Sequence, residues 1–122
     1  MKKLHLLSIT SLALLVATTA NAAPRTINDI TAQEQQVCQV IGTEAMNIMD
    51  YRQTDKPVKS LMKEIDKFNV PSKTKLLKEA ATIAYTAKLQ KTPAEKVEIS
   101  QQFGQFYYTE CIKSSLSLPA TK

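Results

Sequence analysis

The chain contains no tryptophan, and its one histidine, His5, falls in a segment that reads as a secretory signal. Lys2 and Lys3 form a charged start, and Leu4 to Ala17 is a mostly apolar stretch too short to cross a bilayer. Ala20-Asn21-Ala22 then supplies the small residues of a cleavage site. Residues 1–22 are therefore expected to be removed, with the mature protein starting at Ala23 and carrying no imidazole. That excludes histidine general acid/base catalysis, Ser-His-Asp and Cys-His nucleophile pairs, His-ligated zinc and C-x-x-C-H haem attachment. No cysteine adjoins the cleavage site for a lipid anchor, and no later segment is apolar for long enough to span a membrane. The expected location is the periplasm. Losing Lys2 and Lys3 lowers the formal charge from +5 to +3, so the protein is mildly basic.

Glycine is almost as scarce, occurring only at Gly42 and Gly104, and no Asn-Gly or Asp-Gly pair offers a hairpin turn. Both absences argue against a β architecture. Cysteine is limited to Cys38 and Cys111, both in the exported portion, and an oxidising compartment predicts one disulfide between them. Closing a loop of 73 residue steps would stabilise the fold by about 4 kcal/mol on the chain-entropy model. The competing reading, two free thiols with one catalytic, lacks a histidine to activate a thiolate.

Helical periodicity recurs four times. Thr31-Ala32-Gln33-Glu34 is a capping box, followed at helical spacing by Val37, Ile41, Ala45, Ile48 and Met49 up to about Arg52. Thr54-Asp55-Lys56-Pro57 breaks this pattern, and Val58, Leu61, Met62, Ile65 and Phe68 mark one side of a shorter second helix. Ser72 is read as the cap of a third helix, whose stripe is Leu76, Leu77, Ala80, Ile83, Ala84 and Ala87. Thr92-Pro93-Ala94-Glu95 combines an N-cap threonine, proline at the first helical position and glutamate at the third. The fourth helix carries apolar residues over more than half its circumference, which predicts a central helix packed by several neighbours. The expected fold is an all-α, four-helix up-and-down bundle of one domain, 23–122, with one disulfide and loose tails at 23–30 and 114–122.

Arg52 falls seven residues after Ala45, in line with the apolar stripe, in a chain that otherwise favours lysine. It is expected either to bond the last carbonyls of its helix and pair with an internal carboxylate, or to contact a partner. Met46, Met49 and Met62 could be drawn as a thioether copper site, but methionine at helical spacing fills cores. Neither a metal nor another cofactor is expected. Eleven carboxylates are scattered without an acid/base spacing, so no enzymatic activity is expected. Lys56, Lys59, Lys63 and Lys67 recur every three or four residues along the second helix. They form either a solvated side or a docking surface for an acidic partner. The row is too sparse for nucleic acid. Phe103, Phe106, Tyr107 and Tyr108 cannot all face inward, which leaves Phe106 or Tyr108 as a candidate binding anchor.

Cys38, Ala45-Met46-Asn47-Ile48-Met49, Tyr51-Arg52-Gln53, Leu61-Met62, Ala84-Tyr85, Phe103 and Tyr108 to Cys111 together resemble a group of small secreted proteins of proteobacteria and their prophages, most of them uncharacterised. The shared pattern runs C, A-x-x-I-M, R-Q, a methionine, A-Y, then F and Y-x-x-C, over most of Cys38 to Cys111. Two departures stand out: Asp55 occupies a position where glycine is usual after Arg-Gln, and no proline closely follows Ala84-Tyr85. The resemblance implies a fold and a disulfide but no activity. By exclusion, the expected function is a periplasmic protein-binding module of inhibitor or immunity type that occludes an envelope-targeting enzyme or toxin. A periplasmic acid-stress chaperone, triggered by carboxylate protonation near pH 4, is the alternative. An envelope structural factor is a third.

Overall fold

The structure, a computed structural model, describes residues 23–68 and 71–118; the expected signal segment and the last four residues lie outside the described part. All four expected helices are present, and no strand occurs among the described residues: α1 is Ala32–Gln53, α2 Val58–Asp66, α3 Pro71–Ala84 and α4 Pro93–Leu116. Both capping boxes close as their spacing requires. Thr31 Oγ1 accepts from the Glu34 amide at 3.1 Å, and the Glu34 carboxylate accepts from the Thr31 amide at 2.9 Å. At α4 the reciprocal bonds between Thr92 and Glu95 measure 3.2 and 3.0 Å. Each box satisfies amides that a helix start otherwise leaves unpaired. The bond from the Thr92 amide, the adjacent Thr92 hydroxyl and a further bond from the Lys91 amide hold the Glu95 carboxyl below the usual glutamate range.

Several expectations are corrected. Ser72 does not cap α3: the helix already includes Pro71, which suits a first turn because it has no amide to leave unpaired. The central helix is α1 and not α4. α1 packs against α2, α3 and α4, whereas α4 packs chiefly on α1. The buried cluster draws Ala45, Ile48 and Met49 from α1, Leu61 and Ile65 from α2, Leu77, Ala80, Ala81 and Ala84 from α3, and only Tyr107 from α4. The broad apolar surface of α4 is not all covered, since Val97 and Phe106 are both exposed. Val37 and Ile83, placed in stripes by their spacing, are also exposed. Glu44 meets Lys73 near the beginning of α3, and Val37 lies about two turns earlier on α1.

α1 and α4 run antiparallel in close contact. Cys38 is bonded to Cys111, Gly42 lies against Gly104 and Tyr108, and Met46 lies against Gly104. A Cβ on Gly104 would stand 2.8 Å from the Gly42 carbonyl oxygen and 2.9 Å from Met46 Cβ. On Gly42 it would meet Tyr108 Cβ at 3.0 Å and the Gly104 carbonyl at 3.1 Å. The two glycines of the chain therefore form one feature, a crossing where backbone touches backbone.

The segment 23–30 is not a loose tail. Arg25 donates to both carboxylate oxygens of Glu34 at 2.9 and 2.7 Å, to the Ser115 carbonyl at 2.9 Å and to the Asp29 carbonyl at 2.8 Å. One planar guanidinium thus ties a strap, with its short 3-10 turn Ile27–Asp29, to the start of α1 and the end of α4. Nor is 114–116 a tail, because α4 continues to Leu116.

The Arg25 guanidinium, with the Thr31 amide, holds the Glu34 carboxyl far below its ordinary value of 4.5, at about 2. A depressed carboxylate contributes stability that is complete above its unfolded pKa and is lost as pH falls through the folded one. Stability should therefore decline between about pH 4.5 and 2 as this clamp protonates. An acid titration of wild type against Glu34→Gln checks this. The variant should be less stable at neutral pH and lose less on acidification, and parallel curves would contradict the assignment.

Candidate functional site

Arg52 and Gln53, the last two residues of α1, hold down the connection between α3 and α4. Arg52 Nε and Nη2 donate to the Ala87 carbonyl at 3.2 and 3.1 Å, and its guanidinium lies 5.0 Å from the centre of the Tyr85 ring. Gln53 is buried. Its Nε2 donates to the Lys88 carbonyl at 3.2 Å while its Oε1 accepts from the Gln90 amide at 2.8 Å. The Tyr85 hydroxyl completes the knot by donating to the Lys56 carbonyl at 2.5 Å, and burial pushes the Tyr85 phenol up. The expected carboxylate partner of Arg52 is thus replaced by a backbone carbonyl; Asp55, at 3.9 Å, is mostly exposed. The reason is local, since the chain leaving α3 turns back under α1 with carbonyls that no helix satisfies.

Arg52→Lys should cost about 1–2 kcal/mol, because an ammonium cannot supply two coplanar donors or stack on Tyr85. Urea denaturation measures it. An unchanged midpoint would mean that the knot rests on Gln53 alone.

Asp55 adopts φ 59°, the one positive value among the described non-glycine residues. Its amide donates to the Arg52 carbonyl at 3.0 Å as the left-handed residue that ends α1. Glycine would adopt this conformation without strain, and aspartate tolerates it better than most side chains.

The lysine row occupies the outer side of α2. Leu61 and Ile65 are buried inward, and Lys59 and Lys63 fall opposite them on the helical circumference; of the expected row, Lys67 is the C-cap residue of α2 and Lys56 precedes its N-cap, Pro57, so Lys56 is not on the helix. Lys56 Nζ sits 5.0 Å from the centre of the Tyr51 ring, and Lys67 pairs with Glu64 at 2.8 Å. Lys59 and Lys63 are exposed and form no ion pair among the described residues. Residues 54–91 hold nine lysines against four carboxylates, whereas the rest of 23–122 holds five cations against seven carboxylates. The α2–α3 half is thus strongly basic and the α1–α4 half mildly acidic.

Of the two aromatic anchors, Phe106 is 53% exposed, with its ring edge-on to Tyr107 at 5.4 Å. Tyr108 is half-buried, with its Cβ wedged beside Gly42. Phe106 stands on α4, away from the lysine row, so the structure separates these candidates into two surfaces. Arg52 adjoins the start of the row through Tyr85. Met49 is a core residue whose sulfur accepts from Gln53, Met46 lies at the glycine crossing, and Met62 packs on the core from α2. Among the described residues no group of three or more His, Cys, Asp or Glu is placed to hold a metal ion, and no helix is long and apolar enough to cross a membrane.

Sequence reasoning missed Gln53, Tyr85 and the Arg25–Glu34 clamp. A polar residue in line with an apolar stripe was the available signal for Gln53, as it was for Arg52. Comparison of the chain with protein-family models, curated proteins and solved structures finds no match.

Proposed function

We propose that this chain is a periplasmic protein-binding module of inhibitor or immunity type, exported through its N-terminal signal, that docks the basic side of α2 onto an acidic envelope-targeting enzyme or toxin and occludes it. The observation that carries this reading is the exposed lysine row opposite the buried side of α2, within the half of the chain that holds most of the cationic charge. Such a row costs a few tenths of a kcal/mol per like-charge pair. A long-range field of one sign steers an oppositely charged partner into register. The body behind it is read as an up-and-down bundle. Supporting that topology, α3 meets α1 at Lys73–Glu44, Tyr85 just past its end meets Arg52, and α3 meets α2 at Lys78–Asp66. A rigid, stapled body without catalytic equipment is suited to presenting a surface.

The test is Lys59→Glu with Lys63→Glu, measured as association rate against the partner captured from envelope extracts. The fold should be intact by circular dichroism. Association should slow by roughly three- to tenfold at low salt, with the difference fading as the screening length shrinks. The same rate and the same salt dependence would reduce the row to a solvated side and move the search to Phe106.

A further inference from the structure

The strap formed by the N-terminal segment encloses a second feature, independent of the basic side of α2. Between strap and α4 lies a cavity of about 460 Å³, within the range that small-molecule sites occupy. Its apolar walls are Ile27 and Ile30 from the strap and Ile112 and Leu116 from α4. Ile112 is buried, whereas Ile27, on the opposite wall, is 70% exposed, so the apolar lining is open to solvent on the strap side. Arg25 ties the strap to α4 beside the cavity, its guanidinium bonding at once the Asp29 carbonyl of the strap and the Ser115 carbonyl of α4.

Polar groups cluster beside this apolar length. Gln105 Nε2 donates to Thr109 Oγ1 at 3.3 Å, and both residues line the cavity. The one charged residue lining it is Lys113. Its ammonium is paired at 2.9 Å with Glu110, but both side chains are largely exposed, and such a pair contributes little. Turning Nζ from Glu110 toward an anion in the cavity therefore costs little.

We infer that this cavity binds a single-chain anionic amphiphile, its chain lying along Ile27, Ile30, Ile112 and Leu116 and its anionic head at Lys113. A long-chain carboxylate and a lysophospholipid share this chemistry. An apolar cleft with one cation at its edge matches such a ligand in both parts, whereas a neutral apolar compound would leave the lysine unused.

The test titrates 11-(dansylamino)undecanoic acid into the mature protein and follows the dansyl fluorescence. Saturable one-to-one enhancement is expected, reversed by laurate or by a lysophospholipid; which competes better identifies the source. Lys113→Gln should weaken the acid probe about fivefold and the matching dansyl alcohol by less than about twofold. Thr109→Trp, which fills the cavity, should abolish both signals while the circular dichroism melt persists; if it does not fold, Gln105→Trp serves the same purpose. Non-saturable fluorescence, displacement by neither competitor, full binding by a folded cavity-filling variant, or an equal effect of Lys113→Gln on both probes would each overturn the inference.

Discussion

Cys38→Ala with Cys111→Ala is expected to lower stability by about 4 kcal/mol, the chain-entropy value for opening a loop of 73 residues. Total stability for a domain of about 100 residues is only about 5–15 kcal/mol, so the variant should be near the edge of folding at physiological temperature. Alanine is the substitution of choice because Cys38 is fully buried and a serine there would add an unsatisfied hydroxyl. The bond joins the first turns of α1 to the last turns of α4, outside the main buried cluster. Denaturation of the oxidised protein, the reduced protein and the variant distinguishes the sources. Reduced protein and variant should agree, and a loss under about 1 kcal/mol would show that the α1–α4 contact holds without a staple.

Gly104→Ala is expected to destabilise by about 2–3 kcal/mol, although alanine in a helix interior is favoured over glycine by about 1 kcal/mol. The sign turns on what the new methyl meets. Its two nearest neighbours are a backbone carbonyl at 2.8 Å and a Cβ at 2.9 Å, neither the free end of a flexible side chain, so α1 and α4 must move apart. Gly42→Ala faces the slightly longer distances of 3.0 and 3.1 Å and should cost less. Urea midpoints of the two variants measure the order. Stabilisation by Gly104→Ala would mean that the helices separate freely.

Much of this arrangement was legible in the residues, and the parts that were not have physical reasons. The two threonine-to-glutamate boxes marked the starts of α1 and α4, because capping is chemistry among four consecutive residues. The disulfide followed from compartment and count. What periodicity does not encode is which apolar surface finds a neighbour. The wide distribution on α4 suggested a hub, but Val97 and Phe106 face outward, and α1, with a narrower stripe, is surrounded.

Glu34 illustrates a different limit. Its place in a capping box was read correctly, yet the same carboxylate also accepts two bonds from Arg25, nine residues earlier, a pairing that only the folded path of the strap creates. The glycines were available as a signal. A residue that costs about 1 kcal/mol inside a helix, placed twice and nowhere else, marks a close approach. Among the candidate site residues, Arg52 was picked out by its position in the stripe. Its acceptor could not be foreseen, because the Ala87 carbonyl belongs to a connection without periodicity.

The antiparallel pairing of α1 with α4 has a consequence for the order in which the molecule can assemble. α1 is the first helix to leave any channel the chain is threaded through, and its most extensive neighbour, α4, is the last. Until Pro93–Leu116 has emerged, the small residues of α1 have nothing to close against, and the contacts that do close them span most of the chain, which slows their formation. Any chain that lacks Pro93–Leu116 therefore leaves the surface of α1 around Gly42 uncovered. Cys111 reaches Cys38 only once these two helices have met, so the disulfide is a late bond that records their pairing.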